Sequence, residues 1–190
     1  MSLVARFYGI WLAGFGLLGI GMESVQAQID ARLECEQTTF LQYAPVPVTV
    51  RLRNLGPEKI HFRSSEHQSW LNFFVKTHRG ISVPAQKPLV MENKEMDPGQ
   101  SLAVEIDLAP YFLIRDIGNY YVQLSVQVPS GDPWLTEPLE VSVARGKTLW
   151  SREVGKGQER RKFSLIRFYE NPGLGLYLSI DFPEIGRAHV

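Results

Sequence analysis

From Ile29 to Ala144 the chain alternates apolar and polar positions with a period of two, and no sustained period of 3.6 interrupts it. Successive side chains of a strand point to opposite faces, so this pattern predicts strands with one buried face. Val46, Val48, Val50 and Leu52 alternate with Pro47, Thr49, Arg51 and Arg53. Pro47 falls at the start of that strand, where a missing N–H is tolerated. Leu102, Val104, Ile106 and Leu108 make a second row, Tyr120, Val122, Leu124, Val126 and Val128 a third, and Leu139, Val141 and Val143 a fourth. Ile29 to Glu36 opens the set and Thr38 to Leu41 follows as a short segment. Asn54-Leu55-Gly56-Pro57 and Asp97-Pro98-Gly99-Gln100 are turn signals, and Ile60 to Phe62 is a brief strand between them. Ala109 to Asp116 crosses one end of the fold, with Tyr111 and Phe112 available to plug it.

Trp70 to Thr77 is the most aromatic strand. Burying Lys76 would strand a charge in the core, so Leu71, Phe73 and Val75 are expected inward and Trp70, Asn72, Phe74 and Lys76 outward. Trp70 and Phe74 then either form an exposed aromatic patch or lie beneath the long loop from Arg79 to Met96. Bare apolar patches are scarce on soluble proteins, which favours the loop. If this strand has a binding face, Trp70 and Phe74 are its candidate partner-binding anchors.

Beyond Gly146 the pattern changes. Lys162 to Tyr169 and Leu174 to Phe182 read as two strands around Asn171-Pro172-Gly173. An isolated hairpin is marginal in water, so the pair is expected to open a second β-rich unit, cut short, over residues 147–183.

The run Asp116-Ile117-Gly118-Asn119-Tyr120-Tyr121-Val122 refines the fold class. In immunoglobulin-like domains a Tyr near the start of the sixth strand returns its hydroxyl to the backbone of the preceding corner, two residues before a disulfide Cys. Asp116 and Gly118 suit the turn, through local side-chain bonding and tolerance of positive φ. Asp116, Gly118 and Tyr120 are therefore the candidate structural corner. Val122 stands where the Cys would be, so packing alone must hold the fold. The expectation is an all-β protein: an immunoglobulin-like antiparallel β-sandwich over residues 28–146, followed by a partial β-rich segment.

The two ends carry expectations of their own. Arg6, the apolar run Phe7 to Ile20 and the small residues of Val25-Gln26-Ala27 read as a signal peptide over residues 1–27. Cleavage after Ala27 leaves no stable membrane span and places the protein outside the cell or in the periplasm. Glu184-Ile185-Gly186-Arg187-Ala188-His189-Val190 matches the translation of a widely used short-read sequencing adapter (GAG ATC GGA AGA GCA CAC GTC). Residues 184–190 are accordingly set aside as adapter read-through, with native sequence expected to continue past Pro183.

Composition narrows the chemistry. The formal net charge is +0 over 190 residues, with no long run of one sign, so no nucleic-acid partner is expected. Cys35 is the single cysteine, which excludes an internal disulfide and reads as a buried thiol. His61, His67 and His78 lack metal-site spacing, and Glu66 beside His67 sits in a polar loop. No G-x-S-x-G frame positions a serine nucleophile. Gly155-Lys156-Gly157 lacks the frame of a phosphate loop, and Glu105 with Asp107 reads as a solvated strand face rather than a glycosidase pair. No catalytic residue and no cofactor are assigned.

The strings Trp70-Leu71-Asn72-Phe73-Phe74-Val75, Asp107-Leu108-Ala109-Pro110-Tyr111-Phe112, Gly118-Asn119-Tyr120 and Gly146-Lys147-Thr148-Leu149-Trp150 occur in that order. With Arg161-Lys162-Phe163-Ser164-Leu165 and Leu176-Tyr177-Leu178 they resemble a family of secreted bacterial proteins of uncharacterised function. Its members begin with a signal peptide and an immunoglobulin-like domain, then run into a second β-rich segment. The resemblance covers nearly the whole chain up to Pro183 and implies architecture, with no catalytic residues to carry over. Asn54-Leu55-Gly56, Phe73-Phe74 and Pro98-Gly99-Gln100-Ser101 give a weaker likeness to the bacterial proteinase-inhibitor sandwich. The expected function is that of an exported, non-enzymatic module for protein interaction or domain spacing, with an unidentified protein or envelope partner. The alternatives are an accessory domain of an envelope enzyme whose catalytic part lies beyond Pro183, or a proteinase inhibitor.

Overall fold

The computed structural model describes residues 29–65, 68–129, 131–170, 173–182 and 186–189, which are all-β apart from one turn of 3-10 helix at Gly157–Glu159. The expected leader over residues 1–27, and Glu66 with His67, lie outside the described residues. No helix among the described residues is long and apolar enough to cross a membrane.

Two sheets close on one core. The first joins β1 (Ile29–Glu34), β3 (Pro47–Asn54) and β8 (Ser101–Asp107) in the order β1-β3-β8, antiparallel throughout. The second has the order β2-β11-β9-β5-β6, from β2 (Thr39–Leu41), β11 (Leu139–Ala144), β9 (Gly118–Val126), β5 (Leu71–Thr77) and β6 (Ser82–Val83). A short strand, β10 (Trp134–Leu135), also pairs with β9. The chain changes sheet between β1 and β2, and β2 runs parallel to β11 while the other pairs are antiparallel.

The alternating rows meet between these sheets. Val46, Val48, Val50 and Leu52 pack with Leu71, Phe73, Val75, Tyr120, Val122, Leu124, Val126, Val141 and Val143 in one buried cluster. Fully burying such a side chain contributes about 1.5–3 kcal/mol, so these rows supply the dominant favourable term. From the Ala109–Asp116 crossing, Phe112 enters this cluster as expected, Tyr111 packs against it only partly buried, and Ile114 is buried as well.

A two-stranded ribbon, β4 (Ile60–Phe62) with β7 (Lys94–Met96), flanks the core. Asn54 anchors it: wholly buried, its amide nitrogen donates to the carbonyls of Glu58 (2.7 Å) and Met96 (3.2 Å), and its oxygen accepts from the Gly56 N–H (2.9 Å). A buried amide satisfied at both ends avoids the cost of an orphaned polar group. Cys35 lies at the kink between β1 and β2 and is half-buried, its Sγ 2.8 Å from the Gln37 carbonyl and 3.2 Å from that of Pro47. Burial pushes this thiol up from its ordinary pKa.

The second unit is larger than a hairpin. β13 (Arg161–Glu170) and β14 (Gly173–Phe182) pair as the sequence predicts, and β12 (Lys147–Val154) joins them on the far side of β13. The hairpin thus has a partner strand within residues 147–183 and does not stand alone. β15 (Gly186–His189) adds a fourth strand against β14. An open edge offers unpaired N–H and C=O groups that any extended backbone can meet. At the junction Gly146 allows close approach: a Cβ there would stand 2.2 Å from Ile166 Cγ2 and 3.1 Å from Leu41 Cδ1.

Candidate functional site

At the corner, the Tyr120 hydroxyl donates to the Asp116 carbonyl (2.9 Å) and accepts from the Asp116 N–H (3.0 Å). Gly118 takes φ +141°, a value L side chains avoid, and this turns the chain into β9. Burial is the main cause that raises the Tyr120 pKa, with the nearby Asp116 charge adding to it and backbone hydrogen bonds opposing it. The backbone of Asp116, not its carboxylate, holds the tyrosine. The corner ties a crossing loop to the central strand and offers no reactive group.

Trp70 and Phe74 part company. Trp70 precedes β5 rather than belonging to it, is 1% exposed, and stacks on Phe62 with ring centroids 4.6 Å apart. Its Nε1–H donates to the Glu92 carbonyl at 2.9 Å, so the Arg79–Met96 loop is fastened over it. Trp70 as an outward partner-binding anchor is thus corrected: it is core. An indole is the side chain best suited to such a place, with a large apolar body and one N–H to satisfy. Phe74 does point outward and is 52% exposed, opposite Gln123 of β9.

The polar candidates have local roles. Asp107 does not present its carboxylate beside Glu105; Oδ1 accepts from the N–H groups of Val46 (2.8 Å) and Ala109 (3.0 Å). His61 Nδ1 lies 3.0 Å from Glu95 Oε1 across the exposed ribbon. No cluster of metal-ligating side chains occurs among the described residues. A cleft of about 480 Å³ separates the first unit from the tip of the β13–β14 hairpin, with Glu36, Glu105 and Glu170 in its wall.

The second unit carries a surface that no short motif announces. Residues opposed in an antiparallel pair project to the same side, and the registers set three rows across β12, β13 and β14. These are Arg152–Phe163–Ile180, Trp150–Leu165–Leu178 and Lys147–Arg167–Leu176. Tyr169 and Leu174 extend the face toward the hairpin tip. Trp150 is 50% exposed, Leu176 62% and Tyr169 73%. The acids of these strands, Glu153, Glu170 and Asp181, fall on the opposite face. The signal was present in Leu174, Leu176, Leu178, Ile180 and Phe182, but only the register brings Trp150 and the arginines beside them.

No family model and no curated protein sequence matches the chain. Among solved structures, a beta-glucosidase from Listeria innocua is similar over 62% of this chain at 11% identity and a TM-score of 0.40. The aligned part is 16% of the glucosidase's length. The sporulation control protein Spo0M from Bacillus subtilis is similar over 87% of this chain and 90% of its own, at 10% identity and a TM-score of 0.41.

Proposed function

We propose that this chain is an exported immunoglobulin-like module that acts by binding a partner protein rather than by turnover. The fold half of this reading is supported by strand order. With β1, β3 and β8 in one sheet and β5, β9 and β11 in the other, the chain follows the A-B-E and C-F-G arrangement of immunoglobulin sheets. The hydroxyl of Tyr120 on the corner before β9 adds to it. Export is supported by Arg6, the apolar run Phe7–Ile20 and the small residues before Gln28.

The functional half is carried by one observation: large apolar side chains stand exposed together on one face of the β12–β14 sheet. Contiguous faces of this kind mark interaction sites. The test takes the chain from Gln28 onward through chromogenic glycoside, ester and peptide substrates. No turnover above the blank is expected. Hydrolysis that disappears in a Glu105→Gln, Glu170→Gln double variant would overturn the reading. For export, residues 1–27 fused to a reporter phosphatase that matures only outside the cytoplasm should yield activity, and an inactive fusion refutes that part.

A further inference from the structure

We infer that the exposed face of the β12–β14 sheet takes an amphipathic protein segment with an apolar stripe and a carboxylate-bearing edge. The inference rests on the interaction reading above and adds the partner's chemistry. The face is divided lengthwise. Its β14 side, Leu174 to Ile180, is apolar, whereas its β12–β13 side sets Lys147, Arg152, Arg161 and Arg167 among Trp150 and Leu165. Lys147 stands directly opposite Arg167, and like charges so placed repel. None of these four cations has an ion-pair partner among the described residues. Arg167 adds a second mark of incompleteness: its Nε is covered and without a hydrogen-bond partner. Its guanidinium carbon lies 6.0 Å from the Tyr169 ring centre.

Charge decides among the occupants. A second copy laid face to face would set this cationic side against its own kind or against leucines, with no carboxylate to neutralise it. A lipid surface deep enough to take Leu176 would draw in Arg167 and Lys147, which share its row, and charges in hydrocarbon are expensive. A protein segment with leucine-like side chains over β14 and Glu or Asp over β12–β13 satisfies both halves, because guanidinium and carboxylate form strong charge-assisted pairs.

The probe is a displayed library of 18-residue peptides with a constant apolar helical stripe and flanking positions randomised among Glu, Ser and Lys. The chain from Gln28 should enrich acidic flanks, and the best peptide should bind at least about tenfold more weakly to Leu176→Asp, the loss expected of a central contact. A chain carrying Arg152→Glu, Arg161→Glu and Arg167→Glu should enrich Lys instead, with its unfolding midpoint near that of the parent. Enrichment of Ser or Lys flanks by the parent overturns the proposed partner chemistry while leaving an interaction module standing. No binders at all overturns both. Binding to phosphatidylglycerol vesicles that Leu176→Asp abolishes assigns the face to lipid, and sedimentation showing a dimer that the same change dissociates assigns it to self-association; either overturns the inference.

Discussion

β9 and β14 are written in the same pattern and end in opposite situations. β9 spans nine residues and β14 ten, and each places an apolar side chain at every second position. On β9 the row Tyr120, Val122, Leu124 and Val126 is at most 3% exposed. On β14 Leu174, Leu176 and Leu178 are between 42% and 62% exposed. The difference lies across the gap: β9 faces the β1-β3-β8 sheet, whereas the apolar face of β14 meets no second sheet among the described residues. Alternation therefore encodes a face that wants covering, and a separate part of the sequence must encode the cover.

The strongest way to break the comparison is to treat the two tryptophans alike. Trp70→Ala opens a cavity under the Arg79–Met96 loop and frees the Glu92 carbonyl, and is expected to cost about 3–5 kcal/mol in denaturant unfolding. Trp150→Ala, at an exposed position, should stay within about 0.5 kcal/mol of the parent. Equal losses would mean that both sheets are cored alike. Gly146→Ala tests the seam between the units. Its new Cβ meets Ile166 Cγ2 at 2.2 Å and the Arg167 carbonyl oxygen at 2.9 Å, closer than a methyl can hold, and crowds Leu41; overpacking of this kind costs about 1–3 kcal/mol. No measurable loss would show that the units do not press together at this point.

A smaller effect isolates the corner. Tyr120→Phe removes the hydroxyl that bonds both backbone groups of Asp116, with an expected loss of about 1 kcal/mol. The pH dependence gives a second readout. Folding raises the Tyr120 pKa above its ordinary 10.0, so the unfolded chain releases that proton first. The contribution is fully present below pH about 10 and is lost as pH rises through the folded value. Stability of the parent should therefore fall more steeply than that of Tyr120→Phe in alkali, and parallel curves would remove the corner from the account.

Much of the first unit was legible because its determinants are local. The rows of β3, β5, β8, β9 and β11 follow from period two, and the corner from Asp116, Gly118 and Tyr120 in one short run. Non-local pairings were not legible: nothing near Ile60–Phe62 says that Lys94–Met96 will pair with it. Trp70 lies beneath the Arg79–Met96 loop, the placement its sequence favoured over a bare patch, but the distant Glu92 carbonyl that fastens the loop there, and so removes Trp70 as a binding anchor, was not legible from one strand. β12 escaped notice because its register shifts between Thr148 and Trp150, which breaks the alternation. The face it completes depends on which residues of three strands stand opposite one another. Periodicity within one strand carries no such information.

The gentlest test bears most directly on the contrast between the strands. Leu176→Ser removes an apolar side chain from the middle of β14, at a position 62% exposed. Because little of that side chain leaves water on folding, the transfer contribution it forfeits is small, and the unfolding free energy should change by less than about 0.5 kcal/mol. The equivalent change on β9, Leu124→Ser, removes a side chain with no exposure at all and buries a hydroxyl, so it belongs among the severe substitutions. Retention on a hydrophobic-interaction column separates the two causes: Leu176→Ser should elute earlier than the parent while unfolding at the same denaturant concentration. If Leu176→Ser instead destabilised the chain as a core change does, the β14 face would be covered in solution, by another copy of this chain or by a segment outside the described residues.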